Sequence, residues 1–105
     1  MMTEKLTNKD GYVAVLYTPS YGCGWYSSNP EHGREMIFDK RIAEAVNAKQ
    51  YKLAAKIAEE SYPGCCTAGA ENLQITWIRP GMVIEITEFD GYETVEEVGF
   101  NPLIV

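Results

Sequence analysis

Histidine occurs once, at His32, cysteine only three times, and no lysine or arginine follows Arg79 in this 105-residue chain. One histidine supports no Ser-His-Asp order, and no paired-carboxylate cleft can be justified, which argues against a hydrolase. Three cysteines are an odd count and too few for a disulfide scaffold. Cys65 and Cys66 are adjacent, a poor geometry for bridging each other. The spacing of the three thiols and His32 does not suit zinc, so no metal and no cofactor is expected. The thiols read as small side chains packed in a loop and kept reduced. No apolar run approaches the roughly 18 residues that span a bilayer, so no membrane partner is expected. The stretch from Met1 to Lys9 lacks the apolar segment of a signal peptide, and the expected compartment is the cytoplasm. Clustered Lys and Arg are also missing, which excludes direct nucleic-acid binding by phosphate neutralisation.

The charge that is present is unevenly placed. Nine acids and nine bases fall between Met1 and Arg79; the remaining six acids (Glu85, Glu88, Asp90, Glu93, Glu96, Glu97) carry the whole net charge of −6. An acidic segment suits a basic partner or a cation, or serves as a solvated strand face. The candidate acidic partner surface is Glu85, Glu88, Glu93 and Glu96.

Length and composition fit one domain over 1–105. Tyr12 to Thr18 is rich in β-branched and aromatic residues and reads as a buried strand, placed centrally because it is apolar on both sides. Pro19 to Gly33 is a long Gly/Pro/Ser/Asn-rich loop. Glu35-Met36-Ile37-Phe38 reads as a short strand or extended piece. Asp39 is a predicted N-cap for a helix over Lys40 to Ala48. A second helix fits Tyr51 to Ser61, with Leu53, Ala54, Ile57 and Ala58 inward, ended by Pro63-Gly64. Cys65 to Asn72 is a small-residue loop, Leu73 to Ile78 a strand, and Pro80-Gly81 a turn. Met82 to Phe89 and Tyr92 to Val98 are strands joined at Asp90-Gly91, a strong hairpin signal. An apolar tail, Asn101 to Val105, follows. The order implies α+β: a small, mainly antiparallel sheet of about four strands, with a C-terminal hairpin and two helices on one face.

The loop holds the candidate binding residues: Ser20, Tyr21, Gly22, Gly24, Trp25, Tyr26, Ser27 and Asn29. It follows a strand, as phosphate loops do, but has no Gly-Lys-Ser/Thr ending, no helix directly after it and no third glycine at dinucleotide spacing. Its free backbone N–H groups, hydroxyls and three rings suit a small polar ligand on an aromatic wall or a protein interface. The expectation is that Trp25 and Tyr21 line one partly exposed pocket, with Ser27 or Asn29 nearby. Alternatively the glycines shape a turn and Trp25 plugs the core. Cys23, between two glycines, with His32 as base would make a small Cys-dependent enzyme, but no third orienting group can be named.

Gly22-Cys23-Gly24-Trp25-Tyr26-Ser27-Ser28-Asn29 after an apolar strand resembles a family of small, largely uncharacterised tailed-bacteriophage and prophage proteins. The likeness continues through Met36-Ile37-Phe38-Asp39, Tyr62-Pro63, Gly69-Ala70-Glu71-Asn72-Leu73 and Ile86-Thr87-Glu88-Phe89-Asp90-Gly91. The resemblance implies a non-enzymatic phage accessory protein in the host cytoplasm that binds a host protein or a small ligand and antagonises a host defence factor. The alternative from the charge pattern is an acidic decoy that mimics nucleic acid and blocks a host DNA- or RNA-binding protein. A second copy of the chain is a further admissible partner.

A two-residue Asp90-Gly91 turn sets the register: Phe89 faces Tyr92, Glu88 faces Glu93, Ile86 faces Val95 and Glu85 faces Glu96. Ile86 and Val95 then lie on the core side, and Glu85, Thr87, Thr94 and Glu96 face water. Like charges directly opposite oppose folding. Replacing Glu85 and Glu96 by Gln is therefore expected to raise the melting temperature at low salt. An unchanged melting curve would mean that the register is wrong or that the carboxylates are too far apart to matter.

Overall fold

Val13-Ala14-Val15-Leu16 is an aliphatic run with no polar face, and all four are buried. This strand, β1 (Val13–Tyr17), pairs antiparallel with β2 (Gln74–Ile78), Val15 standing opposite Thr76. The computed structural model describes residues 5–97 and 103–105. Between the two strands come α1 (Gly33–Ile37), α2 (Lys40–Asn47), α3 (Tyr51–Ser61) and a single 3₁₀ turn at Ala70–Asn72. The chain then forms β3 (Val83–Phe89), β4 (Tyr92–Glu97) and the short β5 (Leu103–Ile104).

The α+β class, the antiparallel pairing and the C-terminal hairpin match the sequence reading. The strands divide into two sheets, however: β1-β2, and β4-β3-β5. The physical cause lies at Pro80-Gly81. After β2 the chain turns with Gly81 at positive φ, and the tail takes the pairing next to it. Gly81 N–H donates to the Val105 carbonyl, and Val105 N–H donates to the Met82 carbonyl at 2.9 Å. β1 is central to the core but not to a sheet, because its second neighbour is only the Leu6–Thr7 segment, through Ala14 N–H to the Leu6 carbonyl and a Thr7–Val13 bridge.

Two helices form as the periodicity predicts. Asp39 caps α2 by accepting from Ile42 N–H at 3.2 Å, and its other oxygen accepts from the Tyr62 hydroxyl at 2.6 Å. Burial, then the bond to Asp39 and its charge, push the Tyr62 phenol far above its usual range. In α3 the inward stripe is Ala54 and Ala58, both fully buried, with Ile57 half-buried; Leu53 is 44% exposed and does not face the core. Two alanines four residues apart let α3 approach closely, and Leu53 falls beside that stripe.

The segment read as a strand over Glu35–Phe38 is the helical turn α1. A short apolar run cannot separate strand from buried helix by its pattern alone. Here Met36 and Ile37 are fully buried, and the Met36 carbonyl accepts from the Trp25 indole N–H at 2.9 Å. In the hairpin the register matches the expectation at every described pair from Phe89–Tyr92 to Glu85–Glu96. Asp90 and Gly91 both take positive φ, as a type I′ turn requires. Val98, Asn101 and Pro102 lie outside the described residues, as do Met1 to Glu4 of the N-terminal stretch.

Candidate functional site

Parity in the hairpin places Ile84, Ile86, Glu88, Glu93, Val95 and Glu97 on one face, and Glu85, Thr87, Phe89, Tyr92, Thr94 and Glu96 on the other. The first face is the inner one: Ile84 is fully buried, and Ile86 and Val95 are half-buried. Glu93 lies on it with 0% exposure. The assignment of Glu93 to an exposed acidic surface is therefore corrected.

The Glu93 side chain ends inside the Gly-rich loop. Oε1 accepts from Thr18 N–H at 3.1 Å and from the Thr18 hydroxyl at 3.2 Å. Oε2 accepts from Tyr26 N–H and Ser27 N–H, both at 2.8 Å, and from the Ser27 hydroxyl at 3.0 Å. Trp25 N–H, the preceding donor in the series, bonds the Thr18 hydroxyl oxygen at 3.1 Å. Consecutive backbone N–H groups pointing into one concavity form an anion-binding nest. The loop after β1 thus cradles an anion, as phosphate loops do, and that anion belongs to its own chain.

Glycine is required where hairpin and loop meet. A Cβ on Gly24 would overlap the Ser27 hydroxyl and lie 3.1 Å from Glu93 Oε2. A Cβ on Gly91 would overlap the Gly22 carbonyl. With these side chains absent, Gly22 N–H donates to the Asp90 carbonyl at 2.6 Å, and Glu93 N–H donates to the Thr18 carbonyl at 2.9 Å.

The other loop residues divide between core and surface. Trp25 is 1% exposed and stacks edge-to-face on Tyr62, ring centroids 6.5 Å apart. The expected pocket shared by Trp25 and Tyr21 does not form, because Trp25 plugs the core. Asn29 is buried and brackets Cys66: its Nδ2 donates to the Cys66 carbonyl at 2.9 Å, and its Oδ1 accepts from Cys66 N–H at 2.7 Å. Tyr26, Ser27 and Ser20 are half-buried. Tyr21 is 71% exposed and lies against Tyr92, centroids 5.4 Å apart, next to Phe89, which is 72% exposed. These three rings form an outward aromatic cluster at the hairpin tip.

Cys23 and Cys66 form a disulfide with Cα atoms 6.2 Å apart, and Cys65 is the free thiol. This corrects the reading of three reduced thiols. Sequence spacing could not reveal the pair, because 43 residues separate its members. While it is formed, Cys23 has no thiolate to offer as a nucleophile. Cys65 and His32 line one cleft of about 300 Å³ with Pro30 and Pro63. Among the described residues no group of three or more His, Cys, Asp or Glu side chains could hold a metal ion.

Glu85 and Glu96 stand opposite each other on the outer face, as expected. Glu88 turns back to accept from Gly91 N–H at 2.8 Å. The inward course of Glu93 was readable from the hairpin register, since it shares parity with Ile86 and Val95. The acidic composition of the segment concealed it.

No protein-family model, curated protein or solved structure matches the chain.

Glu93→Gln keeps the shape but turns one acceptor into a donor. Either amide orientation aims N–H at backbone N–H: at Thr18, or at both Tyr26 and Ser27. Urea denaturation should show a loss of about 2–4 kcal/mol, the range for breaking buried charge-assisted hydrogen bonds. A loss below about 0.5 kcal/mol, the size of an ordinary surface change, would remove Glu93 from its central place.

For the disulfide, thiol titration of the oxidised protein should find one reactive thiol under denaturing conditions, and three after reduction. Cys66→Ser should cost roughly 3–4 kcal/mol by loop-closure entropy, and adding Cys23→Ser should cost little more. Three titratable thiols in oxidised protein would refute the pairing.

Proposed function

We propose that this chain is a non-enzymatic binding protein that contacts its partner through the outer face of the β3–β4 hairpin and Tyr21. One observation carries this reading: Tyr21, Phe89 and Tyr92 are gathered at the surface, whereas the rest of the Gly-rich loop is spent on holding Glu93, Asn29 and Trp25. Clustered exposed aromatics are a feature of protein interfaces, where Tyr and Trp supply much of the binding energy. The cluster lies on an open strand face, which suits a protein surface better than an enclosed small ligand.

A phage accessory role against a host defence factor, in the host cytoplasm, rests on the motif resemblance. In a reducing cytoplasm the Cys23–Cys66 pair would open, and the two Asn29 bonds to Cys66 would still join the same two loops. The acidic-decoy alternative draws on the same face. Two of its four carboxylates are committed elsewhere, Glu93 to the nest and Glu88 to Gly91 N–H. That leaves Glu85 and Glu96, a sparse imitation of a phosphate backbone, so aromatic contact is the preferred reading.

Tyr21→Ser and Phe89→Ser should each leave the fold intact, within about 0.5 kcal/mol, as exposed substitutions do. Each should weaken the partner recovered by affinity capture from bacterial lysate by about 30-fold, the loss expected for an interface anchor. Undiminished capture by the double variant would overturn the assignment of this face. Capture lost at high salt but unaffected by either substitution would favour the decoy.

A further inference from the structure

The closing pair of a two-residue hairpin is hydrogen-bonded, and bonding alternates along the strands from there. Tyr92, Thr94 and Glu96 therefore spend their backbone groups on β3, and Glu93, Val95 and Glu97 direct theirs away from it. The bond from Glu93 N–H to the Thr18 carbonyl confirms the direction. Among the described residues nothing continues this pairing beyond Glu93: β4 is the edge of its sheet, and Val95 N–H and C=O have no backbone partner. The open stretch borders a groove of about 280 Å³, with Tyr17, Pro19 and Thr76 on one wall and Tyr92, Thr94 and Val95 on the other.

An open strand edge is a template for another strand. Its charge decides which one. Glu96 and Glu97 lie on the edge strand, Glu85 faces Glu96 across the hairpin, and no lysine or arginine follows Arg79. No ion pair to these three carboxylates exists among the described residues. A second copy pairing β4 to β4 would bring the same three carboxylates of the other chain alongside these, which like-charge repulsion opposes. A basic strand would instead neutralise the Glu85–Glu96 pair.

We propose that the Thr94–Glu97 edge of β4 accepts an extended, arginine- or lysine-bearing segment of the partner protein as an added strand. The added strand's main chain would bond to Val95. Its alternate side chains would lie on the outer face, a cation beside Glu96 and the next one of that parity beside Thr94, within reach of the Tyr92 ring. This inference rests on the reading of the hairpin as the partner surface and specifies how that surface is used.

The probe is a hexapeptide of alternating arginine and valine, compared with its glutamate-for-arginine counterpart and with two copies N-methylated at alternate amides, one in each register. The full-length protein is followed by ¹⁵N amide spectra and amide hydrogen exchange. The arginine peptide should slow exchange at Val95 by about tenfold or more, as new strand pairing does, and its affinity should fall with salt. The glutamate peptide should not bind. At least one register of N-methylation should weaken binding by about tenfold through lost main-chain bonds. Val95→Pro removes an N–H that β3 does not use and should weaken binding similarly; the methylated peptides give the same answer on unaltered protein should that variant not fold.

Equal binding of all methylated forms, or no binding of the arginine peptide, would overturn edge pairing. If partner capture still depends on Tyr21 and Phe89 in that case, the outer-face reading stands and only the strand addition falls. A concentration-dependent dimer abolished by Val95→Pro would assign the edge to a second copy and likewise overturn the proposal.

Discussion

The structure turns on one carboxylate. Glu93 is fully buried, and its two oxygens accept five hydrogen bonds from Thr18, Tyr26 and Ser27, with no ion pair to it among the described residues. Taking such a group out of water costs several kcal/mol unless its lone pairs are satisfied. Five donors satisfy them, so the group is tolerated only in this arrangement. That makes it a specificity device: the hairpin cannot slide by one residue without leaving the acid on the outer face and the nest empty. The two sheets have few direct links, and Glu93 supplies both the side-chain bonds and, through its N–H, the backbone bond to the end of β1.

The Gly-Cys-Gly-Trp motif follows from this requirement. Gly24 leaves space for the acid, Gly91 lets the Gly22 carbonyl come close, and Gly22, at positive φ, turns its N–H onto the Asp90 carbonyl. Trp25 anchors the nest to the core through Met36, and Cys23 ties it to the Cys65–Thr67 region. Asn29 repeats that last link with two hydrogen bonds. A motif that resembles a ligand loop can therefore be accounted for, residue by residue, as the receptor for an internal ligand. Only Tyr21 of its rings is left substantially in water.

What could be read from the sequence depended on range. α2 and α3 are encoded by an N-cap, a 3.6-residue apolar period and a Pro-Gly stop, all local signals. The hairpin register is encoded by Asp90-Gly91, also local. The division into two sheets is not local: it depends on Val105 competing for Gly81 and Met82. The disulfide, the Asn29 clamp and the Glu93 nest join residues 43, 37 and 66–75 positions apart. No propensity encodes those meetings. Glu93 is the instructive case. Its parity with Ile86 and Val95 indicated burial, but its chemistry and acidic neighbours indicated water, and burial prevailed because the loop supplied donors.

Burial of Glu93 also determines what the outer face can be. Once parity is fixed from within, Phe89 and Tyr92 must emerge beside the turn, and Glu85 and Glu96 must stand opposed further along the strands. The Gly22–Asp90 bond then brings Tyr21 across the junction onto Tyr92. Tyr21 belongs to the loop, whereas Tyr92 belongs to the hairpin. A partner that contacts both rings therefore bridges the two halves held together by Glu93. Anything that binds only the joined state stabilises that state by mass action. The inner carboxylate and the outer aromatic cluster are thus coupled through one junction. If this surface takes a partner as proposed, a loosened nest weakens binding without any change in the surface residues, and an occupied surface protects the nest from opening.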